Sequence, residues 1–199
     1  MLLDSEDSQL ILVDFQERLM PAIDGAQAVL ANAVRLARPA QALAVPVLAT
    51  EQNPAGLGPT VAELRSQAAQ VLPKMEFSAA GVLLPRLVPP PKAPAGNARS
   101  LPRHLQKPAP AAPARGTLVM AGCEAHVCLL QTALELLDEE LEVWVVTDAC
   151  GSRTERNRDA AFDRLAAAGA ELVTTEMVVF EWLRSSEHPR FKELQGLIK

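Results

Sequence analysis

The sequence predicts an α/β fold, a parallel sheet with helices on both of its faces. Three observations lead there. Short apolar runs recur along the chain, and each stops at a polar residue or a glycine. Stretches with apolar residues three and four apart, the helical period, lie between them. With 199 residues, 49% of them hydrophobic, the chain carries enough apolar surface for one ordinary core.

Leu10 to Val13 is the first predicted strand and ends at Asp14. Gly25 to Leu43 is alanine-rich, with Val29, Ala33, Leu36, Ala40 and Leu43 at helical spacing; Val45 to Ala49 is the second strand. Asn53 to Pro59 has loop-forming residues, and Thr60 is placed to cap a short helix through Leu64, with Glu63 as its capping-box partner. Val71 to Lys74 predicts a short strand, held to a sheet edge by Pro73. Leu84 to Arg115 differs from the rest, since it holds more than half of the chain's 16 prolines. Pro89-Pro90-Pro91 and Pro108-Ala109-Pro110 cannot continue a helix or a central strand. An irregular excursion, partly polyproline II, is therefore expected over about Pro89 to Ala114, either a lid or contact arm or a tolerated surface insertion.

Regular alternation then resumes. Thr117 to Ala121 is a strand, and Ala125 to Glu139 a helix with Val127, Leu130, Leu134 and Leu137 on one face. Leu141 to Val146 is a strand, Arg153 to Ala168 a helix ended by Gly169, and Leu172 to Thr174 a last strand before a helix from about Glu176 to Leu183. The tail from His188 to Lys199 is amphipathic through Phe191, Leu194, Leu197 and Ile198, and is expected to pack on the body or a neighbour.

Composition excludes several classes. The net charge is −5 and no basic run is interleaved with aromatics, so nucleic acid is not an expected partner. Met1 to Asp7 is acidic and has no signal pattern, and no apolar stretch reaches the length of a membrane span. Three widely spaced cysteines make no disulfide framework, which fits a reducing cytoplasm. Histidines and cysteines lack zinc-ligand spacing, and neither GxGxxG nor GxxxxGK[ST] occurs, so neither a metal nor a cofactor is expected.

The chemistry concentrates at Gly122-Cys123-Glu124-Ala125-His126-Val127-Cys128. An apolar strand stops at Gly122 and a helix follows. Cys128 then falls in the first helical turn at the C-terminal edge of the sheet, where ligands bind in open α/β folds. Free N–H groups at a helix start favour negative charge, which predicts a reactive thiolate; the plainer alternative is a small buried hydrophobe. Asp14 ends the first strand at the same edge and either exchanges protons with a thiol or caps a loop. Lys74 ends another edge segment, either as a fixed ammonium that lowers a thiol's pKa or as a solvated surface group. Cys123 and Cys150 are read chiefly as buried structural thiols, and His126 as a polar group pointing away from Cys128. Trp144 and Trp182 are read as core or interface aromatics. Glu51 and Gln52 follow the second strand, to line a pocket or cap a loop.

These segments together resemble the isochorismatase-like cysteine hydrolase superfamily. The resemblance runs through Leu12-Val13-Asp14-Phe15-Gln16, Thr50-Glu51-Gln52-Asn53-Pro54 with Gly56-Leu57-Gly58-Pro59-Thr60, Lys74-Met75-Glu76-Phe77-Ser78, the Gly122–Cys128 segment and Asp148-Ala149-Cys150-Gly151-Ser152-Arg153. The second segment and the tail are similar to the isochorismatase domain-containing subgroup. The resemblance implies one domain over 1–199 with a proline-rich insertion at about 85–115, built as three αβα layers around a mostly parallel sheet of about six strands. It implies a homo-oligomer, a dimer or larger. It implies a catalytic triad of Asp14, Lys74 and Cys128, a cis peptide between Cys123 and Glu124, and an oxyanion hole from the N–H groups of Glu124 and Cys128. Phe15, Glu51, Gln52, Phe77 and Ala125 are the expected substrate pocket. Nicotinamidases carry metal-binding histidines after the second strand; Thr50-Glu51-Gln52-Asn53 has none, which argues against metal and against nicotinamide.

The expected function is hydrolysis of a C–N bond in a small amide, imide or ureido compound, through a covalent thioester. The alternative is a catalytically silent module that binds a metabolite or a partner. Cleavage of a vinyl ether, as in isochorismatases proper, needs no cysteine nucleophile and fits Cys128 less well. A redox pair of Cys123 and Cys128 would have to bridge a strand-to-helix turn and is poorly placed for a disulfide.

Overall fold

The computed structural model describes residues 1–87 and 115–198. The excursion expected over about Pro89 to Ala114 lies outside the described residues. Six parallel strands form one sheet in the order β3-β2-β1-β4-β5-β6. They are β1 (Ser8–Val13), β2 (Val47–Gln52), β3 (Gln70–Lys74), β4 (Thr117–Cys123), β5 (Glu142–Gly151) and β6 (Glu171–Val173). Alternation along the strands splits the apolar residues between two cores. Leu10, Leu12, Val119 and Val146 meet α1 (Ala26–Ala42) and α7 (Thr175–Leu183) on one face. Ile11, Val13, Leu118 and Met120 meet α4 (Ala80–Leu87), α5 (Leu130–Asp138) and α6 (Glu155–Ala167) on the other. The result is a three-layer αβα fold. In the tail, α8 (Phe191–Leu197) docks through the buried Leu194 on Val179 and Leu183. Both tryptophans are buried, and the Trp182 indole N–H donates to the Ser8 hydroxyl at 3.0 Å.

Every residue of β1 and β4 is buried, and these two central strands set the position of everything at their ends. They approach so closely at Gly122 that a Cβ there would lie 2.6 Å from both Cβ and the carbonyl oxygen of Val13. Only a residue without a side chain fits. Pro73 is accommodated because β3 is an edge strand.

Local details differ from the sequence reading. Thr60 does not cap a helix: its N–H and hydroxyl both donate to Glu51 Oε1, at 2.7 and 2.9 Å, and α3 (Ala62–Arg65) starts after Val61. A buried carboxylate needs donors more than a four-residue helix needs a cap. A short α2 (Pro54–Leu57) occupies part of the predicted loop. The helix expected from Ala125 begins with a π-helical turn, Ala125–Leu129, before α5. The extra residue in that turn shifts the buried face to Cys128, Leu129, Leu130, Ala133 and Leu136; of the expected face Leu130 is buried, while Val127, Leu134 and Leu137 are only partly covered.

Candidate active site

Parallel strands bring their C-terminal ends to one edge, so the residues that follow β1, β3 and β4 meet there. Asp14 leaves β1 with φ of 54°, and its side chain is completely buried. Its carboxylate accepts the Thr50 hydroxyl on Oδ1 at 2.6 Å and the Lys74 ammonium on Oδ2 at 2.7 Å. Lys74, equally buried, spends its other donors on the carbonyls of Phe77 at 2.9 Å and Glu76 at 3.1 Å. A buried ion pair persists when all its polar atoms are matched, as here; deleting one member leaves an uncompensated charge. Further bonds fasten the loop after Lys74. Gln52 Nε2 donates to the Met75 carbonyl at 3.0 Å. The Ala79 N–H donates to the Thr132 hydroxyl at 2.8 Å, and that hydroxyl donates to the Cys128 carbonyl at 2.6 Å.

Cys128 sits in the π-helical turn, 6% exposed, where the charges of Asp14 and Lys74 both act on its thiol. Its pKa is pushed up to about 12, first by burial, then by the negative charge of Asp14; Lys74 pulls the other way and is outweighed. Of the two alternatives read from the sequence, this direction favours a buried neutral thiol over a thiolate stabilised at a helix start. Desolvation is the largest cause, and it favours the neutral thiol. Burial likewise drives Cys123 far up, and Cys150 up to about 12. All three thiols are free. Cys123 belongs to the core under α1 and α7, Cys128 to the core under α4 and α5, so the sheet separates them.

The peptide between Cys123 and Glu124 is cis. The Glu124 carbonyl accepts the N–H groups of Val127 at 3.1 Å and Leu129 at 3.2 Å. Its carboxylate is forked by Arg153, with Nε to Oε2 at 2.9 Å and Nη2 to Oε1 at 2.7 Å, and takes the Arg153 backbone N–H at 3.1 Å. The Arg153 hydrogen bonds hold Glu124 below the usual carboxylate range. Among the described residues, neither the Glu124 nor the Cys128 N–H is taken by a group outside its own turn. His126 turns away to Ser152 Oγ at 3.0 Å and Asn157 Nδ2 at 3.4 Å, in keeping with its reading as a polar group remote from the thiol.

The expected pocket residues divide. Alternation along β2 sends Thr50 to Asp14 and Glu51 to Thr60 and to Arg65, whose guanidinium is 2.9 Å away. Glu51 therefore ties down the α2–α3 segment and does not line the site. Phe15 and Ala125 are fully buried in the two cores. Gln52 braces the loop after Lys74. Phe77, 54% exposed, stands on that loop with its carbonyl on the Lys74 ammonium. Sequence reasoning missed Thr50, Thr132 and the role of Arg153. The spacing Cys128-x-x-x-Thr132 on a helix was a usable signal for one of them; nothing in the sequence pointed Thr50 at Asp14.

Among the described residues no three His, Cys, Asp or Glu gather to hold a metal, and no helix is long and apolar enough to cross a membrane. The chain matches the family model described as isochorismatase domain over residues 8–177. It is 37% identical over 194 residues to isochorismatase domain-containing protein 2B of Mus musculus, covering 98% of this chain and 82% of that protein. Among solved structures it is similar to the MAR1 ribonuclease from Caenorhabditis elegans, with a TM-score of 0.83 and 31% identity over 100% of this chain and 92% of that one. It is also similar to YcaC from Pseudomonas aeruginosa, solved with hexane-2,5-diol and a covalent acrylamide, with a TM-score of 0.78 and 25% identity over 98% and 91% of the two chains.

Proposed function

The chain belongs to the isochorismatase family, and from that premise we propose that it is a cysteine hydrolase cleaving a C–N bond of a small amide, imide or ureido compound. Sulfur of Cys128 attacks the carbonyl carbon while Asp14 takes the thiol proton. The oxygen, now negative, receives the N–H groups of Glu124 and Cys128. The C–N bond breaks as Asp14 returns the proton to the departing nitrogen, leaving a thioester. Water, giving a proton to Asp14, then adds to the thioester, and the acid leaves as sulfur recovers that proton. Lys74 keeps Asp14 oriented at the start of each cycle.

The observation that supports this reading most is the buried pair at the strand ends: Asp14 holds the Lys74 ammonium at 2.7 Å, and the charges of both are felt at the Cys128 thiol. A raised thiol pKa fits a nucleophile deprotonated by a neighbouring base during attack rather than a standing thiolate. The covalent acrylamide in the YcaC structure supports testing such electrophiles here. The name of the C. elegans relative favours a second reading, RNA hydrolysis. Against it, Lys74 and Arg153 are each committed to a carboxylate, which leaves neither poised for a phosphate. The same proposal takes the working form to be a cytoplasmic homo-oligomer with one domain per chain and an insertion at about 85–115, free of metal and cofactor; the three free thiols support a reducing compartment.

A screen of small amides and ureido acids read as ammonia release, with RNA degradation run in parallel, tests the reading. Ammonia release that disappears in Cys128→Ala is the expected result. RNA cleavage that survives in the same variant would overturn it, and binding without turnover would instead favour the silent module.

A further inference from the structure

Resting on the hydrolase reading, we infer that Arg153 is a positioning residue for the oxyanion site: it fixes Glu124 so that the Glu124 N–H stays aimed at the developing charge. Every other polar group of Glu124 is anchored. Its carbonyl holds two N–H groups of the π-helical turn. Its carboxylate, 7% exposed, holds three donors of Arg153, two from the guanidinium and one from the backbone. The β4–β5 ladder ends at Cys123 and Gly151, and the Glu124–Arg153 bonds tie the two chain segments together just beyond it. The Arg153 side chain itself is 61% exposed. From exposure alone it reads as surface, yet it closes over a carboxylate that belongs to the turn carrying the nucleophile.

Arg, unlike Lys, presents a planar fork that matches both carboxylate oxygens and so fixes angle as well as distance. Angle is what an oxyanion donor requires, since stabilisation depends on a donor already in place when charge develops. A loosened Glu124 therefore affects reactions that pass through a tetrahedral oxyanion. Direct displacement at carbon, as in alkylation by iodoacetamide, forms no oxyanion and does not need it.

The experiment uses the full chain and two probes of the same sulfur. With p-nitrophenyl acetate, the S–C bond forms, the C–O bond to p-nitrophenolate breaks, and the burst of p-nitrophenolate reads acyl transfer. Iodoacetamide labelling of Cys128 reads displacement. Arg153→Gln is expected to slow the burst by about tenfold or more, through kcat rather than KM, with the alkylation rate within about twofold of the parent. Arg153→Lys is expected to recover part of the burst, and it carries the same comparison if the Gln variant fails to fold. An unchanged burst, or burst and alkylation falling together, would overturn the inference. A burst that persists in Cys128→Ala would instead sink the hydrolase reading itself, whatever Arg153 does.

Discussion

Cys123 and Cys128 flank one turn, yet they lie on opposite sides of the sheet and face different chemistry. Cys123 is sealed in the core beneath α1 and α7. Cys128 is nearly as buried, but it lies under the influence of the buried Asp14–Lys74 pair, whose two charges both act on its thiol. Burial raises both pKa values, so burial does not separate a structural thiol from a candidate nucleophile. The surrounding charges do: Asp14 is felt at both thiols, whereas the Lys74 ammonium is felt at Cys128.

The largest expected effect follows directly. Cys128→Ala should lower hydrolytic turnover by about a thousandfold or more, whereas Cys123→Ala and Cys150→Ala should keep it within a few-fold once folded. Comparable losses from all three variants in a steady-state assay would erase the distinction. Next is the buried pair. Lys74→Met leaves the Asp14 charge alone in the interior and should cost about 3–5 kcal/mol in a denaturant titration. The double variant Asp14→Asn with Lys74→Met should recover much of that stability without recovering turnover, because the two side chains form one unit. Gly122→Ala should cost about 1–3 kcal/mol, since its Cβ meets Val13 at 2.6 Å where β1 and β4 are tightest.

The smallest effect concerns alkaline pH. The thiols of Cys128 and Cys150 have folded-state pKa values raised to about 12, above their ordinary value of 9.0. Above the unfolded value the unfolded chain gives up protons that the folded chain retains. The stability they contribute is thus complete below about pH 9 and declines as pH rises toward about 12, by about 1 kcal/mol per pH unit for each thiol. Thermal melts of the parent and Cys150→Ala should converge as pH rises; parallel curves would show that burial of that thiol carries no such linkage.

Much of this arrangement was legible in the sequence. Apolar runs ending at Asp14, Lys74 and Gly122 marked three strand ends, and parallel strands carry such ends to one edge. Register was not legible. A strand read as ending at Ala49 runs on to Gln52, so Glu51 lies within β2 and alternation turns it away from Cys128. Its neighbour Thr50 is turned onto Asp14 by the same alternation. The π-helical turn was equally hidden, because one extra residue in a turn leaves no compositional mark while shifting much of the buried face. The thiol's ionisation stayed open between two alternatives for a physical reason: a helix start favours a lowered pKa and burial a raised one, and the extent of burial arises only from tertiary packing.

Mass spectrometry after brief acrylamide exposure near neutral pH tests the central claim most directly. The account predicts modification of Cys128 at least about tenfold faster than of Cys123 or Cys150, since Asp14 relieves its proton during attack. Slow and equal modification of all three cysteines in the folded protein would contradict it.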